Sequence, residues 1–359
     1  MNLQTTYLGL SLAHPVIASA SPLSATFDGI RRLEDAGAAA IVTASIYEED
    51  VAAETAALEA FGTIGAESNP EVTSYLPPLP GYPGALAAHL EVIRRAADSI
   101  SVPLIASLNG ITREGWTGIA ADVKAAGVAA IELDLFHLPF DPGETSAEVE
   151  RRLVETVRGV CAAVDIPVAV KLFPYFTAPA HLAAALTDAG ASGIVLFNRF
   201  LEPDIDLETL NFRPSLDLST AQEIRLPLMW IAVMAGKTTL SLAGGRGVAG
   251  PEEVIKYLLA GADAVLTASA LLRHGPEYLG RLVAGVADWI AAHGAGSVTE
   301  IRGRMRANRV AEPEALFRAH YRRMLQRGFP APKADPRDRA SARQGVAPGK
   351  DRSRDGPAD

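Results

Sequence analysis

Residues 168–176 read Val-Ala-Val-Lys-Leu-Phe-Pro-Tyr-Phe, an apolar strand that carries one lysine near its far end and stops at Pro174. A lysine within a buried strand costs free energy unless an anion or an electron-rich group meets it. Lys171 therefore has two interpretations. It is either a strand-end lysine that reaches solvent or pairs with a carboxylate, or a cation that faces a ligand.

The composition places the strand in a large globular protein. The chain has 359 residues, of which 48% are hydrophobic and 21% charged. Its net charge of -9 argues against binding to nucleic acid but permits a pocket for a small anion. A single cysteine, Cys161, suits a reducing cytoplasm. With no secretory signal and no apolar run of about 18 residues, the sequence predicts a cytoplasmic protein without a membrane anchor.

Short β-rich runs alternate with longer helical patterns from residue 15 to about residue 293. Strands are predicted at residues 16–19, 39–44, 104–107, 129–135, from 168, 193–197, 238–243 and 264–267. Helices are predicted at residues 28–36, 85–99, 114–126, 147–164, 179–189, 227–235, 251–259 and 276–292. Eight strands, each followed by a helix, predict a single (β/α)₈ TIM barrel.

Two insertions and a tail interrupt this pattern. Residues 61–83 are rich in Pro, Gly, Ser and Tyr and predict a loop that covers one mouth of the barrel. Residues 198–219 predict a second, irregular and acidic insertion. The barrel with a C-terminal helical extension is expected over residues 1–327. Residues 328–359 are expected to be disordered because they contain almost nothing apolar to bury.

The alternative fold is a doubly wound sheet, because Gly245-Arg-Gly-Val-Ala-Gly250 has the Gly-x-Gly-x-x-Gly spacing of a dinucleotide site. Such a site also needs a carboxylate about 20 residues later, and the next strand ends instead in Thr267-Ala-Ser269. The glycine motif follows the seventh strand, where barrels commonly bind phosphate. We therefore interpret residues 245–250 as a phosphate-binding turn.

At this point the chain resembles the dihydroorotate dehydrogenases, most closely their class 1 branch. The motifs that carry the resemblance are Ala18-Ser-Ala-Ser21, Ala169-Val-Lys-Leu-x-Pro-Tyr-Phe176, Asn198, Gly244-Gly-Arg-Gly-Val248, and Leu258-Leu-Ala-Gly-Ala262 leading to Ala268-Ser-Ala-Leu271. The likeness covers roughly residues 3–305. It implies an FMN-dependent oxidoreductase that converts dihydroorotate to orotate in pyrimidine biosynthesis, and it implies a homodimer.

The resemblance also implies roles for individual residues. Lys171 would lie beside flavin N1 and O2, where its charge favours the reduced flavin. The catalytic candidates are Lys171 and His137, which falls where the family's catalytic base would be. Beside the resemblance, we expect Asp134 and Arg199 to bind substrate, because Arg199 adds a cation near the mouth that suits an anionic substrate. The implied cofactor-binding residues are Ala18, Ser19, Ala20, Ser45, Asn109, Lys171, Asn198, Gly245, Arg246, Gly247, Ala268 and Ser269.

The chain departs from the family pattern at three places. Thr43 stands where the family has a lysine that touches flavin and substrate, and residues 61–83 lack the family's Asn-x-Gly-Leu-Pro-Asn loop. After the fourth strand, Asp134-Leu-Phe-His-Leu-Pro139 replaces Asn-x-Ser-Cys-Pro-Asn. His137 thus stands where the family has the cysteine that acts as catalytic base. The ordinary pKa of a histidine, about 6.5, suits proton abstraction at neutral pH. Asp134 could pair with His137 or with Lys171.

Other interpretations stay open. His137 could only fill the pocket, and the altered motifs allow a small anionic substrate other than dihydroorotate. A flavin-free barrel could bind a sugar phosphate and use Lys171 as a Schiff-base or electrostatic residue. A catalytically silent flavin-binding protein would explain the missing substrate-binding amides. No metal is expected, because the remaining histidines lack metal-ligand spacing.

Overall fold

The computed structural model describes residues 1–53, 84–110, 113–198, 204–213, 217–309, 321–322 and 325–326. The chain divides into two units, Met1–Arg309 and Val310–Asp359, and the barrel lies in the first. The predicted mouth loop at 61–83, the predicted boundary at 327, the predicted tail and Arg199 all lie outside the described residues.

Eight parallel strands close into a barrel, which confirms the predicted (β/α)₈ fold. The strands of the first unit are β1 (Thr5–Tyr7), β2 (Leu10–Leu12), β3 (Val16–Ala18), β4 (Ile41–Val42), β5 (Ile46–Tyr47), β6 (Leu104–Asn109), β7 (Ala130–Asp134), β8 (Val168–Leu172), β9 (Gly193–Leu196), β10 (Asp204–Asp206), β11 (Asn211–Arg213), β12 (Ser241–Gly244) and β13 (Ala264–Thr267). The barrel runs β3-β4-β6-β7-β8-β9-β12-β13 and closes where β13 pairs with β3. β5 pairs with the end of β6.

Helices follow the barrel strands and pack around them. They are α1 (Phe27–Asp35), α2 (Ala85–Ser99), α3 (Arg113–Ala125), α4 (Ser146–Ala163), α5 (Pro179–Asp188), α6 (Arg225–Met234), α7 (Pro251–Ala260), α8 (Ser269–His274), α9 (Tyr278–Ala292) and α10 (Val298–Ile301). The eight predicted helices agree with this set within two residues at each end. Short polar signals set these ends: the Thr26 hydroxyl accepts from the amide of Gly29 at 3.1 Å, and Thr145 forms a capping box with Glu148.

The inside of the barrel is layered along its axis. Toward the amino ends of the strands, small residues such as Ala130, Ala169 and Ala243 leave room for Tyr7 and Leu8, which enter from the hairpin β1–β2. Sequence reasoning did not predict this hairpin. Tyr7 and Leu8 fill one end of the barrel with apolar side chains, so the open end is the one at the carboxyl ends of the strands.

The second insertion differs from the prediction. Residues 198–219 were expected to be irregular, but they contain the antiparallel hairpin β10–β11, with Ile205 opposite Phe212. Both side chains are exposed. The pattern was missed because three-residue strands are too short to show a clear alternation.

No helix within the described ranges is long and apolar enough to cross a membrane.

Candidate active site

A cavity lies at the carboxyl ends of β8, β9, β12, β13 and β3. Nine of the twelve predicted cofactor-binding residues line it: Ser19, Ala20, Lys171, Asn198, Gly245, Arg246, Gly247, Ala268 and Ser269. These residues are far apart in the sequence, and the barrel brings them together because all of them follow or end parallel strands.

The other three predicted cofactor residues do not line this cavity. Ala18 is fully buried in β3. The Ser45 hydroxyl lies 2.8 Å from the Ser107 hydroxyl on β6. Asn109 ends β6 opposite Asp134 of β7. Ser45 and Asn109 therefore belong to the part of the barrel mouth formed by β5, β6 and β7.

The glycine turn after β12 has a geometry that only glycine fits. Gly247 has a φ of +76°, and a Cβ there would lie 2.6 Å from the Ile224 nitrogen. In the part of the chain that the structure describes, the backbone N–H groups of Arg246, Gly247, Val248 and Ala268 have no acceptor. Several unpaired N–H groups around one cavity form an anion-binding nest. The turn therefore suits a phosphate group.

Arg246 is held in place within this turn. Its guanidinium makes two contacts of 2.7 Å to one carboxylate oxygen of Glu223, and the Tyr257 hydroxyl donates to the Arg246 carbonyl at 2.6 Å. Glu223 compensates the arginine charge, so the free N–H groups of the turn are the stronger feature for an anion.

The loop before α6 contributes a wall that sequence reasoning missed. Ser219 lines the cavity, and both its amide and its hydroxyl contact the Ser269 hydroxyl, at 3.1 and 3.0 Å. The hydroxyl of Thr267, which also lines the cavity, is buried and has no hydrogen-bond partner among the residues that the structure describes. No sequence signal pointed to Ser219, because it belongs to a segment without a periodic pattern.

Lys171 meets two carboxylates inside the barrel. Its Nζ donates to Glu132 Oε1 at 3.1 Å, and the two side chains are 9% and 2% exposed. Asp134 lies opposite Lys171 across β7 and β8, but it accepts a hydrogen bond of 2.6 Å from Asn198 Nδ2. The predicted partner of Lys171 is thus corrected: Glu132 makes the hydrogen bond, and Asp134 contributes its charge.

Burial and charge shift the ionisation of this cluster. Burial lowers the pKa of Lys171, but the charges of Glu132 and Asp134 outweigh burial and raise it above its ordinary value. Burial raises the pKa of Asp134 to about 6, although the Lys171 charge and the Asn198 hydrogen bond oppose the shift. The lysine is therefore charged at neutral pH. The pKa of Asp134, about 6, lies close to neutral pH.

His137 lies in a different part of the mouth. It lines two cavities, and Lys171 lines neither. Its Nε2 lies 3.1 Å from Glu144 Oε2, and Arg152 pairs with the other oxygen of that carboxylate. The predicted pairing of His137 with Asp134 is therefore replaced by a pairing with Glu144.

The His137 ring is neutral at physiological pH. Burial, and after it the Arg152 charge, lower the pKa of His137 from its ordinary value. Because a carboxylate only accepts hydrogen bonds, the ring proton lies on Nε2, facing Glu144. Nδ1 is left as the acceptor of the ring.

Glu132 was not predicted as a site residue, and Thr43 was named only as a departure from the family pattern. Glu132 could have been found from the sequence, because Ala130, Glu132 and Asp134 alternate along β7 and so face the same side of the sheet. Thr43, which stands where the resemblance implies a lysine, is buried and accepts a hydrogen bond of 3.2 Å from the Ser107 amide. It braces β6.

The fold and this cavity define a (β/α)₈-barrel enzyme with its ligand site at the carboxyl ends of the strands. No family model matches the chain. It is 31% identical over 210 residues to dihydroorotate dehydrogenase A (fumarate) of Limosilactobacillus reuteri, an alignment that covers 56% of this chain and 67% of that protein. It is 25% identical over 316 residues to the catalytic subunit of dihydroorotate dehydrogenase B (NAD(+)) of Methanothermobacter thermautotrophicus, covering 84% and 97%.

A third relative, a putative dihydroorotate dehydrogenase A (fumarate) of Aeropyrum pernix, is 29% identical over 219 residues, covering 59% of this chain and 71% of that protein. The chain therefore belongs to the dihydroorotate dehydrogenase family, whose members are flavin-dependent oxidoreductases that act on a CH–CH bond.

Proposed function

We propose that this protein binds FMN in the cavity beside Lys171 and oxidises dihydroorotate to orotate. One observation carries the proposal: a buried lysine and a glycine turn with unpaired N–H groups line the same cavity. The names of the relatives support dihydroorotate as the substrate.

The residues of the cavity suit the two ends of FMN. The free N–H groups of Arg246, Gly247 and Val248 would bind the phosphate, together with the Ser269 hydroxyl. Ser19 and Ala20 would line the ring, beside the Lys171 charge. Bound FMN would supply the acceptor for the hydride that leaves the substrate.

The protein's own residues must also take a proton from the substrate carbon next to the one that loses the hydride. We propose His137 for this step, because its ring is neutral, Glu144 holds it through Nε2, and Nδ1 can accept. Asp134 is the second candidate. It hydrogen-bonds to Asn198, which lines the Lys171 cavity, and its raised pKa suits a base near neutral pH.

The substrate in this proposal is a small anion. Lys171 supplies a positive charge at the cavity, and Asn198 together with Asp134 supplies polar groups that can orient a ring. Arg199 stays a prediction for the same role. A cytoplasmic location, a homodimer, and the absence of nucleic-acid and membrane partners belong to the same proposal, and the net charge of -9 supports the last point.

Titration of FMN into the purified protein tests the cofactor. Gly247→Ala should abolish tight FMN binding, since its Cβ would meet the Ile224 nitrogen at 2.6 Å and distort the turn. Gly37→Ala is the matched control: its φ of +89° is also positive, but nothing lies within 4 Å of the added Cβ. Equal FMN affinity in both variants would contradict the proposed phosphate site.

Anaerobic addition of dihydroorotate to the FMN-loaded protein tests the substrate. The visible flavin band should bleach. A band that sodium dithionite bleaches but dihydroorotate does not would contradict the proposed activity.

A further inference from the structure

We propose that Glu132 is a positioning residue that holds Lys171 and, through it, sets the preference of the protein for reduced over oxidised FMN. The inference rests on the proposed function and gives a role to Glu132, which is not among the residues proposed above to bind FMN or substrate or to accept the proton.

Glu132 anchors the lysine from inside the barrel. On β7, Glu132 comes two residues before Asp134 and lies opposite Ala169, whereas Lys171 lies opposite Asp134. The Lys171 side chain nevertheless turns toward Glu132 and donates at 3.1 Å. The lysine is thus held on the side away from the mouth, while it also lines the ligand cavity.

The charge of Glu132 has one cationic partner in the described ranges, which is Lys171. The Glu132 charge also acts on the buried Tyr7 phenol. Burial and then the Glu132 charge raise the pKa of Tyr7 well above its ordinary value, so the phenol stays neutral. Within the described part of the chain, the Tyr7 hydroxyl has no hydrogen-bond partner. Glu132 therefore depends on Lys171 for its compensation.

Because Glu132 pairs with Lys171, the negative charge of Glu132 offsets part of the positive potential that Lys171 produces in the cavity. Reduced flavin carries more negative charge beside the lysine than oxidised flavin does, so a lysine already compensated by Glu132 favours the reduced form less. Glu132→Gln keeps the shape and an acceptor oxygen but removes the negative charge. The variant should bind reduced FMN more tightly relative to oxidised FMN, and the midpoint potential of the flavin should rise.

The experiment measures the midpoint potential of bound FMN in the wild type, in Glu132→Gln, in Lys171→Met and in the double variant. We expect an upward shift in Glu132→Gln, where a tenfold change in the affinity ratio corresponds to about 30 mV for two electrons. If Glu132 acts through Lys171, the shift should vanish when Glu132→Gln is made in the Lys171→Met background. Asp263→Asn is the control, since Asp263 is only 16% exposed but pairs with Arg302 and does not line the Lys171 cavity; the flavin potential of this variant should match the wild type.

Two results would overturn the inference: a wild-type potential in Glu132→Gln, or an equal shift in both backgrounds, which would show a direct field from Glu132. If Glu132→Gln does not fold, Glu132→Asp takes its place. The shorter side chain weakens the contact and should raise the potential less, and an unchanged potential there would also overturn the inference.

The same series separates this inference from the proposed function. A wild-type protein that binds no FMN contradicts both. FMN binding with dihydroorotate-dependent bleaching, but with no effect of Glu132→Gln on the potential, contradicts the role of Glu132 alone.

Discussion

Two groups of polar and charged side chains, one around the end of β7 and one in the segment that follows β7, differ in burial. The inner cluster consists of Glu132, Lys171, Asp134 and Asn198, with Lys171 and Glu132 9% and 2% exposed. The outer cluster consists of His137, Glu144 and Arg152, with Arg152 41% exposed. Both contain ion pairs. In the inner cluster each charge is stabilised only by the neighbouring charges and hydrogen bonds. In the outer cluster water also stabilises the charges.

Burial therefore acts on the two clusters with different consequences. It is the main cause that raises the pKa of Asp134 to about 6 and that lowers the pKa of His137. Both shifts favour the neutral form, but only the inner cluster holds a cation whose loss would leave two carboxylates buried. The clusters should thus respond very differently to single substitutions.

Lys171→Met should have the largest effect. It leaves the buried Glu132 without its partner, and breaking a buried pair in this way costs about 3–5 kcal/mol. Urea unfolding of the protein without added FMN measures this cost. Lys124→Met is the control, because Lys124 pairs with the exposed Asp165. The free energy of unfolding of this variant should fall by about 1 kcal/mol or less. Equal losses would remove the distinction between the clusters.

Asp134→Asn should stabilise the protein in a pH-dependent way. Because the folded pKa lies above the ordinary 3.8, the penalty for burying Asp134 is absent below that pH and complete above about pH 6. The displacement corresponds to about 3 kcal/mol. In urea unfolding, the free energy of unfolding of the variant should exceed that of the wild type most at pH 8. This difference should become smaller toward pH 5. A difference independent of pH would show that Asp134 is not the titrating group.

His137→Ala should slow flavin reduction by dihydroorotate in an anaerobic stopped-flow experiment, by roughly 100-fold or more if His137 is the base. FMN affinity should not change, because His137 does not line the Lys171 cavity. If Asp134→Asn shows the loss and His137→Ala does not, the proton acceptor belongs to the inner cluster.

Arg152→Gln should have the smallest effect. Removing this charge should raise the pKa of His137, because Arg152 is one of the two causes that lower it. NMR titration of the His137 ring measures the shift. The stability loss should be about 1 kcal/mol or less, since Arg152 is substantially exposed. An unchanged His137 titration would show that burial alone sets the pKa.

The sequence was sufficient for the barrel and for most of the Lys171 cavity. Strands such as Val168–Leu172 are buried along their whole length, and their apolar runs alternate with amphipathic helices, so the (β/α)₈ order is visible. Lys171, the glycine turn and Ser269 could be assigned because a barrel fixes which end of each strand carries the site.

Side-chain partners could not be read in the same way. Whether Lys171 turns to Glu132 or to Asp134 depends on the direction of one side chain across two strands, and both carboxylates face the interior. His137 was expected near Asp134, but Glu144, seven residues later, takes the hydrogen bond because the segment after β7 folds back before α4. Such contacts depend on loop geometry, which has no periodic signal.

The proposed activity is tested most directly by the amount of orotate formed in a single anaerobic turnover of the FMN-loaded wild type with excess dihydroorotate. We expect about one orotate for each bound FMN, formed as the flavin band bleaches, since each oxidation delivers two electrons to one flavin. A protein that binds FMN and is reduced by dithionite, but forms no orotate from dihydroorotate, would contradict the proposed activity.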